Sequence, residues 1–362
     1  MKRHEAAWRV AGKASLAAMS PAYFGMVMAT GIVSLAANML GMALLARGLF
    51  HLNIALYGVL WVLMVTRAVF WPRRFCNDLV DHLQGWGFFT AVAASGILGE
   101  QFFTLAADER AAWLLWGVAL GLWVCLTYVI FIALIIKPSK PSLRRGINGG
   151  WLLAVVATQS LASLSLLLVP YASPPRQIEM VFFALSMWLW GGMLYIWMVS
   201  LIFYRDTFFR FSPGDLVPPY WINMGAMAIS ALTGSMLILH AGRIPYLASL
   251  EPFLKGFTIF YWATGTWWIP MLVVLEIWRH GYRRFPVQYD ALYWGAVFPL
   301  GMYAASTHQL GRAMGFAFLA PVAEAFLYVA LAAWLITFVA WAARVGRGIL
   351  RATLPRGHRP RS

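Results

Sequence analysis

Midway along the apolar stretch 289–311, YDALYWGAVFPLGMYAASTHQLG, a phenylalanine and a proline stand side by side, Phe298 and Pro299. Pro299 has no N–H to give the carbonyl of Gly295, and its ring pushes the preceding turn aside, so a helix here must kink. Gly301 follows the bend, and Ser306, Thr307, His308 and Gln309 make the far end polar. A large ring at such a kink can close a polar path, whereas the default for any single apolar ring is simple burial. The chemistry to look for is therefore permeation, with Phe298 as gate and Gly295, Pro299 and Gly301 as the kink.

Other segments carry residues that suit the same task. Pro21, Gly25, Thr30, Gly31 and Ser34 lie in the first apolar run, Thr90 and Ser95 in the third, and Thr158 and Ser160 in the fifth. Gly225, Ser230, Thr233 and Gly234 lie in the seventh. All are candidates for the lining of a pore. Hydroxyls can donate to an anion without trapping it, and backbone freed at Pro or Gly aims helix-end partial charges at a path. A fixed Lys or Arg at mid-membrane would bind more tightly and slow release; none stands at the centre of these runs. His308 and Glu324 are candidates for a proton-linked step, against the structural alternatives of a hydrogen-bonded His and a Glu paired with Arg312. Glu276 beside Arg279 reads as an interfacial ion pair.

Enzyme signatures are missing. His4-Glu5 is followed by Trp8 where a metalloprotease helix needs its second His, Gly12-Lys13 lacks the earlier glycine of a P-loop, and no dinucleotide fingerprint follows a strand. No metal site and no cofactor is expected. Two cysteines, Cys76 and Cys125, cannot frame a disulfide scaffold.

The elements that position these residues are membrane helices. Of the 362 residues 61% are hydrophobic and 11% charged, against about 25% charged in soluble domains. Apolar runs of helix-spanning length fall at 19–39, 49–70, 84–104, 111–136, 147–169, 179–203, 219–240, 252–278, 289–311 and 317–343. The odd runs hold 22 Ser, Thr, Asn and Gln and the even runs 9. Polar groups cost least where they meet protein or water. The expected fold is thus an all-α polytopic membrane protein of ten transmembrane helices, in five hairpins around a central pore, odd helices inner and even helices outer. Tight packing of small residues is the alternative for any single helix. The odd runs begin 65, 63, 72 and 70 residues apart, a hairpin period with weak residue-level similarity.

The net charge of +15 sits mostly on one side: the termini and the even-to-odd loops, together with Arg67 at the end of the second run, hold 22 of the 28 Lys and Arg. Both termini are therefore expected in the cytoplasm, and the protein in the cell's inner membrane. Residues 1–18 are expected to form a cytoplasmic segment, 19–343 the ten-helix transport domain, and 344–362 a basic, disordered cytoplasmic tail suited to lipid contact. No nucleic-acid partner is expected.

Four stretches resemble the tellurite-resistance and C4-dicarboxylate transporter family, which is related to slow anion channels and malate permeases. They are PAYFGMVMATGIVSLA at 21–36, WINMGAMAISALTG at 221–234, ATGTWWIPMLVVLEIWRHGYRRFP at 263–286 and YWGAVFPLGMYAAST at 293–307. The resemblance implies a ten-helix fold assembled as a homotrimer, each subunit with its own pore, and an occluding Phe on the ninth helix that Phe298 matches. It implies transport of small inorganic anions or dicarboxylates such as malate and succinate. A proton-coupled dicarboxylate carrier, or a tellurite or stress-resistance protein without its own flux, are the alternatives.

Overall fold

The computed structural model describes residues 16–353. The remainder of both terminal segments, including His4, Glu5, Gly12 and Lys13, lies outside the described residues. The long helices are α1 Gly25–Met39, α2 Ala43–Phe70, α3 Phe89–Ala106, α4 Glu109–Ile136 and α5 Leu153–Leu168. They continue as α6 Pro174–Phe208, α7 Ile222–Ala241, α8 Glu251–Glu276, α9 Trp294–Met314 and α10 Ala320–Thr353. Among the described residues the architecture is all-α.

Nine of these segments are long and apolar enough to cross a membrane. The exception is α9, whose Pro299, Ser306, Thr307, His308 and Gln309 dilute its hydropathy. It is nevertheless buried along most of its length. Burial alternates along the chain: 94% of the apolar window of α5 and of α7 is buried, but 22% of that of α4 and 17% of that of α10. The odd helices touch in the order α1, α3, α5, α7, α9 and back to α1, which closes an inner ring. Each even helix packs lengthwise on the odd helix before it and also reaches the odd helix after it.

Every inner helix is entered through a 3-10 turn: Pro21–Phe24, Gly85–Phe88, Gly149–Leu152, Pro218–Trp221 and Ala291–Tyr293. Side chains just ahead of three of them cap the exposed amides: Ser20 accepts from Ala22 N–H, Asn148 from Gly150 and Asp290 from Leu292. Proline opens two of the five, where no N–H is needed. The turns contact one another in ring order and form a closed collar. All five inner helices therefore start at one face and run parallel.

At the collar face each outer helix carries a base that bonds or packs on a neighbouring loop. Arg67 near the end of α2 is buried, paired with Asp78 and donating to the carbonyl of Ala17. Arg205 at the end of α6 bonds Asp206 at 2.9 Å, Asp215 at 3.0 Å and the Tyr220 hydroxyl at 2.8 Å. Lys137 donates to Val80 O and Arg344 to Tyr289 O. Arg279 lies 4.6 Å from the Phe285 ring centroid, and Glu276 is its expected ion-pair partner at a loose 3.9 Å.

Candidate functional site

Five hydrogen bonds fix the rotation of the inner helices. Tyr57 of α2 bonds Ser95 of α3 at 2.7 Å, and Trp123 of α4 donates its indole N–H to Thr158 of α5 at 2.8 Å. Trp188 of α6 donates to the Ser230 carbonyl of α7 at 2.8 Å, Trp262 of α8 to Thr307 of α9 at 2.9 Å, and Trp334 of α10 to Thr30 of α1 at 2.9 Å. Each outer helix thus ties itself to the following inner helix, and the bonded residues face outward.

An α-helix turns about 100° per residue, so two residues before each of these anchors the side chain lies on the opposite face. On α1, α3 and α5, where the anchor is a side chain, that places Met28, Ala93 and Val156 toward the ring axis, all fully buried. Phe298 lies two and a half turns before Thr307 and points the same way, also fully buried. Its layer is fixed by close contacts between neighbouring inner helices. A Cβ on Gly301 would lie 3.1 Å from Ile32 and Val33, one on Gly31 2.6 Å from Ile97, and one on Gly96 3.1 Å from Ser160. These glycines each follow a residue of the layer by three positions. One aromatic ring therefore shares a layer with Met28, Ala93 and Val156.

The kink beside it is packed tightly. A Cβ on Gly225 of α7 would meet the Pro299 ring at 2.7 Å, whereas Gly295 has only ordinary contacts, the nearest at 3.7 Å. The structure so brings Phe298, Pro299, Gly225 and Gly301 together.

The hydroxyl candidates have other partners. Thr30, Ser95 and Thr158 are joined to outer helices, Ser34 donates to Ala46 O at 2.7 Å, and Gly234 faces Thr258 and Trp188. Ser230 and Thr233 bond their own helix, Thr233 also reaching Gln159 O at 3.4 Å. Ser160 bonds Ala157 O beside Gly96, Gly25 has Trp294 as its nearest neighbour, and Thr90 bonds Gly87 O and Pro21 O within the collar. His308 is half-buried near the far end of α9. Glu324 is exposed on α10 and belongs to no ion pair among the described residues.

Glu100 of α3 escaped the sequence analysis. Its side chain is buried and accepts a hydrogen bond from Ser163 of α5. The signal was an acid inside the apolar run AVAASGILGEQFF. Among the described residues no cluster of His, Cys, Asp or Glu has the geometry for a metal.

Comparison with known proteins adds the family. Residues 18–342 match the voltage-dependent anion channel family. An uncharacterized transporter of Methanocaldococcus jannaschii is 23% identical over 326 residues, covering 88% of this chain and 91% of that protein. A sulfite efflux pump of Trichophyton rubrum is 24% identical over 346 residues, 88% of each. An uncharacterized membrane protein of Mycobacterium tuberculosis is 40% identical over 158 residues, 42% of this chain and 80% of that protein. With an all-α chain of membrane-length helices and a match over nearly its whole length, this multi-span membrane protein belongs to the voltage-dependent anion channel family.

Proposed function

We propose that the chain carries small, singly charged inorganic anions through the axis of its inner ring, and that Phe298 occludes the path. The observation that carries this reading is the single aromatic ring in a buried, axis-facing layer whose other members are smaller. The collar supports it: five parallel helices present their N-terminal partial positive charges at one mouth, which favours negative ions there. Membership in an anion channel family and likeness to sulfite efflux pumps favour anions such as hydrogen sulfite, nitrate or chloride.

Malate and succinate are less well served. The inner helices hold no Lys or Arg except Arg312 at the end of α9, so two carboxylates would cross the middle without a countercharge. The mouth with the collar is the cytoplasmic one, since the bases cluster there. We assign the lining to the axis-facing layers together with Pro21 and Gly25, and treat Gly225 and Gly301 as close helix contacts and Thr30, Ser95 and Thr158 as ties to the outer helices.

Purified protein in liposomes tests the substrate class. Sulfite, nitrate and chloride should each move faster than malate under equal driving force. Malate outrunning all three would replace this reading with a dicarboxylate carrier.

A further inference from the structure

Glu100 and Ser163 each lie seven residues beyond an axis-facing residue, Ala93 on α3 and Val156 on α5. Seven residues are two turns, so both point toward the axis about 10 Å beyond the Phe298 layer, away from the collar. Glu100 is 5% exposed and Ser163 fully buried, and the Ser163 hydroxyl donates to the carboxyl. Among the described residues Glu100 enters no ion pair.

The helices packed on α3 offer no countercharge. On α1 and α5 there is no acidic or basic residue. On α2, Arg47 and His51 are exposed, Arg67 is paired with Asp78 at the collar, and Tyr57 is bonded to Ser95. On α4, Glu109, Arg110 and Tyr128 are exposed, as is Cys125. The collar turns before α1 and α3 contribute Tyr23 alone. An ionised carboxylate in this position has one hydroxyl donor and no cation, which membrane interiors penalise heavily.

We propose that Glu100 and Ser163 form a second step on the anion path, one that passes a monovalent anion only while Glu100 holds a proton. Protonated, the carboxyl is a donor, and with the Ser163 hydroxyl it offers an anion two hydrogen bonds. Ionised, it occupies the Ser163 donor and repels the anion. The pair thus requires a proton and an anion together. The proposal rests on the axial path described above, which the experiment tests separately.

Nitrate, the anion of a strong acid, is the probe, because its own charge does not change with pH. Wild-type, Glu100→Gln and Phe298→Ala proteins are reconstituted in liposomes with equal pH on both sides. Wild-type nitrate flux should fall about tenfold per pH unit on the alkaline side of its titration, as one proton site demands. Glu100→Gln, a permanent neutral donor, should hold the acid-side rate at every pH. Retention of the wild-type pH profile in Glu100→Gln, with nitrate still moving, overturns the proposal and leaves the path intact. Absence of nitrate, chloride and sulfite flux in all three proteins overturns both. Should Glu100→Gln not fold, Ser163→Ala decides: without the donor that favours the ionised form, the midpoint moves to higher pH, and an unmoved midpoint overturns the proposal.

Discussion

Phe298 and its neighbours show how much a single residue can decide here. The ring is held beside a proline kink because Gly225 of α7 lets the backbone come to the Pro299 ring. A methyl added at Gly225 would overlap that ring, and overpacking of this kind costs about 1–3 kcal/mol. Gly225→Ala should accordingly lower the thermal unfolding midpoint in detergent by several degrees, while Gly295→Ala, with only ordinary contacts around it, should leave the midpoint unchanged or raise it. Equal effects at the two positions would contradict the close approach of α7 to α9. The sequence carried the Phe-Pro pair plainly, since a proline in an apolar run admits few readings. It did not tell which glycines were crowded, because that depends on partners far away in the chain. Glu100 was legible as an acid in an apolar run, but its partner Ser163 comes from another hairpin and could not be paired with it in advance.

At the scale of elements, the inner helices are oriented by aromatic donors on the outer ones. A buried interhelical hydrogen bond in a membrane protein contributes about 0.6 kcal/mol on average. Trp123→Phe and Trp334→Phe each keep the ring and lose the N–H, so each should cost about that much, and the pair together should cost the sum because they serve different helices. A double variant no less stable than either single would argue against five independent ties. The polar alternation of odd and even runs was visible as composition. Its meaning was only half visible: a hydroxyl that faces a pore and one that bonds a tryptophan look alike in a sequence, and Thr30, Ser95 and Thr158 are of the second kind.

The loops at the collar follow the same logic of charge. Burial alone would push the Asp215 carboxyl up, but the Ser212 hydroxyl and N–H and the Arg205 guanidinium hold it below the usual carboxylate range. A group held low in the folded state binds its proton more readily when unfolded. Its stabilising contribution is therefore complete above the ordinary carboxylate value and is lost as pH falls through the lowered one. Thermal unfolding of wild type against Asp215→Asn should show a gap at neutral pH that closes in strong acid; a gap that widens in acid would reverse the sign. Arg205 itself, nearly buried among two acids and Tyr220, is the base whose loss should cost more, about 3 kcal/mol, since its partners would be left uncompensated.

For the whole molecule, fold class and repeat were legible from apolar length, from the charge asymmetry of the loops and from the hairpin period. Those signals are local or periodic. A ring around a centre was expected from the alternation and the hairpin period, but the contacts that close it were not legible, because they require α9 to meet α1, segments separated by most of the chain. The collar of 3-10 turns was equally hidden, although Ser20-Pro21, Asn148-Gly149 and Pro218-Pro219 mark where its turns begin. Under the proposal, the closed ring lets one residue control the path, because Phe298 is aromatic where Met28, Ala93 and Val156 are not.

The most direct measurement is nitrate flux into liposomes bearing wild-type or Phe298→Ala protein of matched fold and density, at a pH acidic enough to keep other carboxyls neutral. If the ring closes the axis, the variant conducts at least about tenfold faster, equivalent to removing about 1.4 kcal/mol of barrier. Equal flux in a well-folded Phe298→Ala would contradict the account and return Phe298 to the ordinary packing of a membrane core.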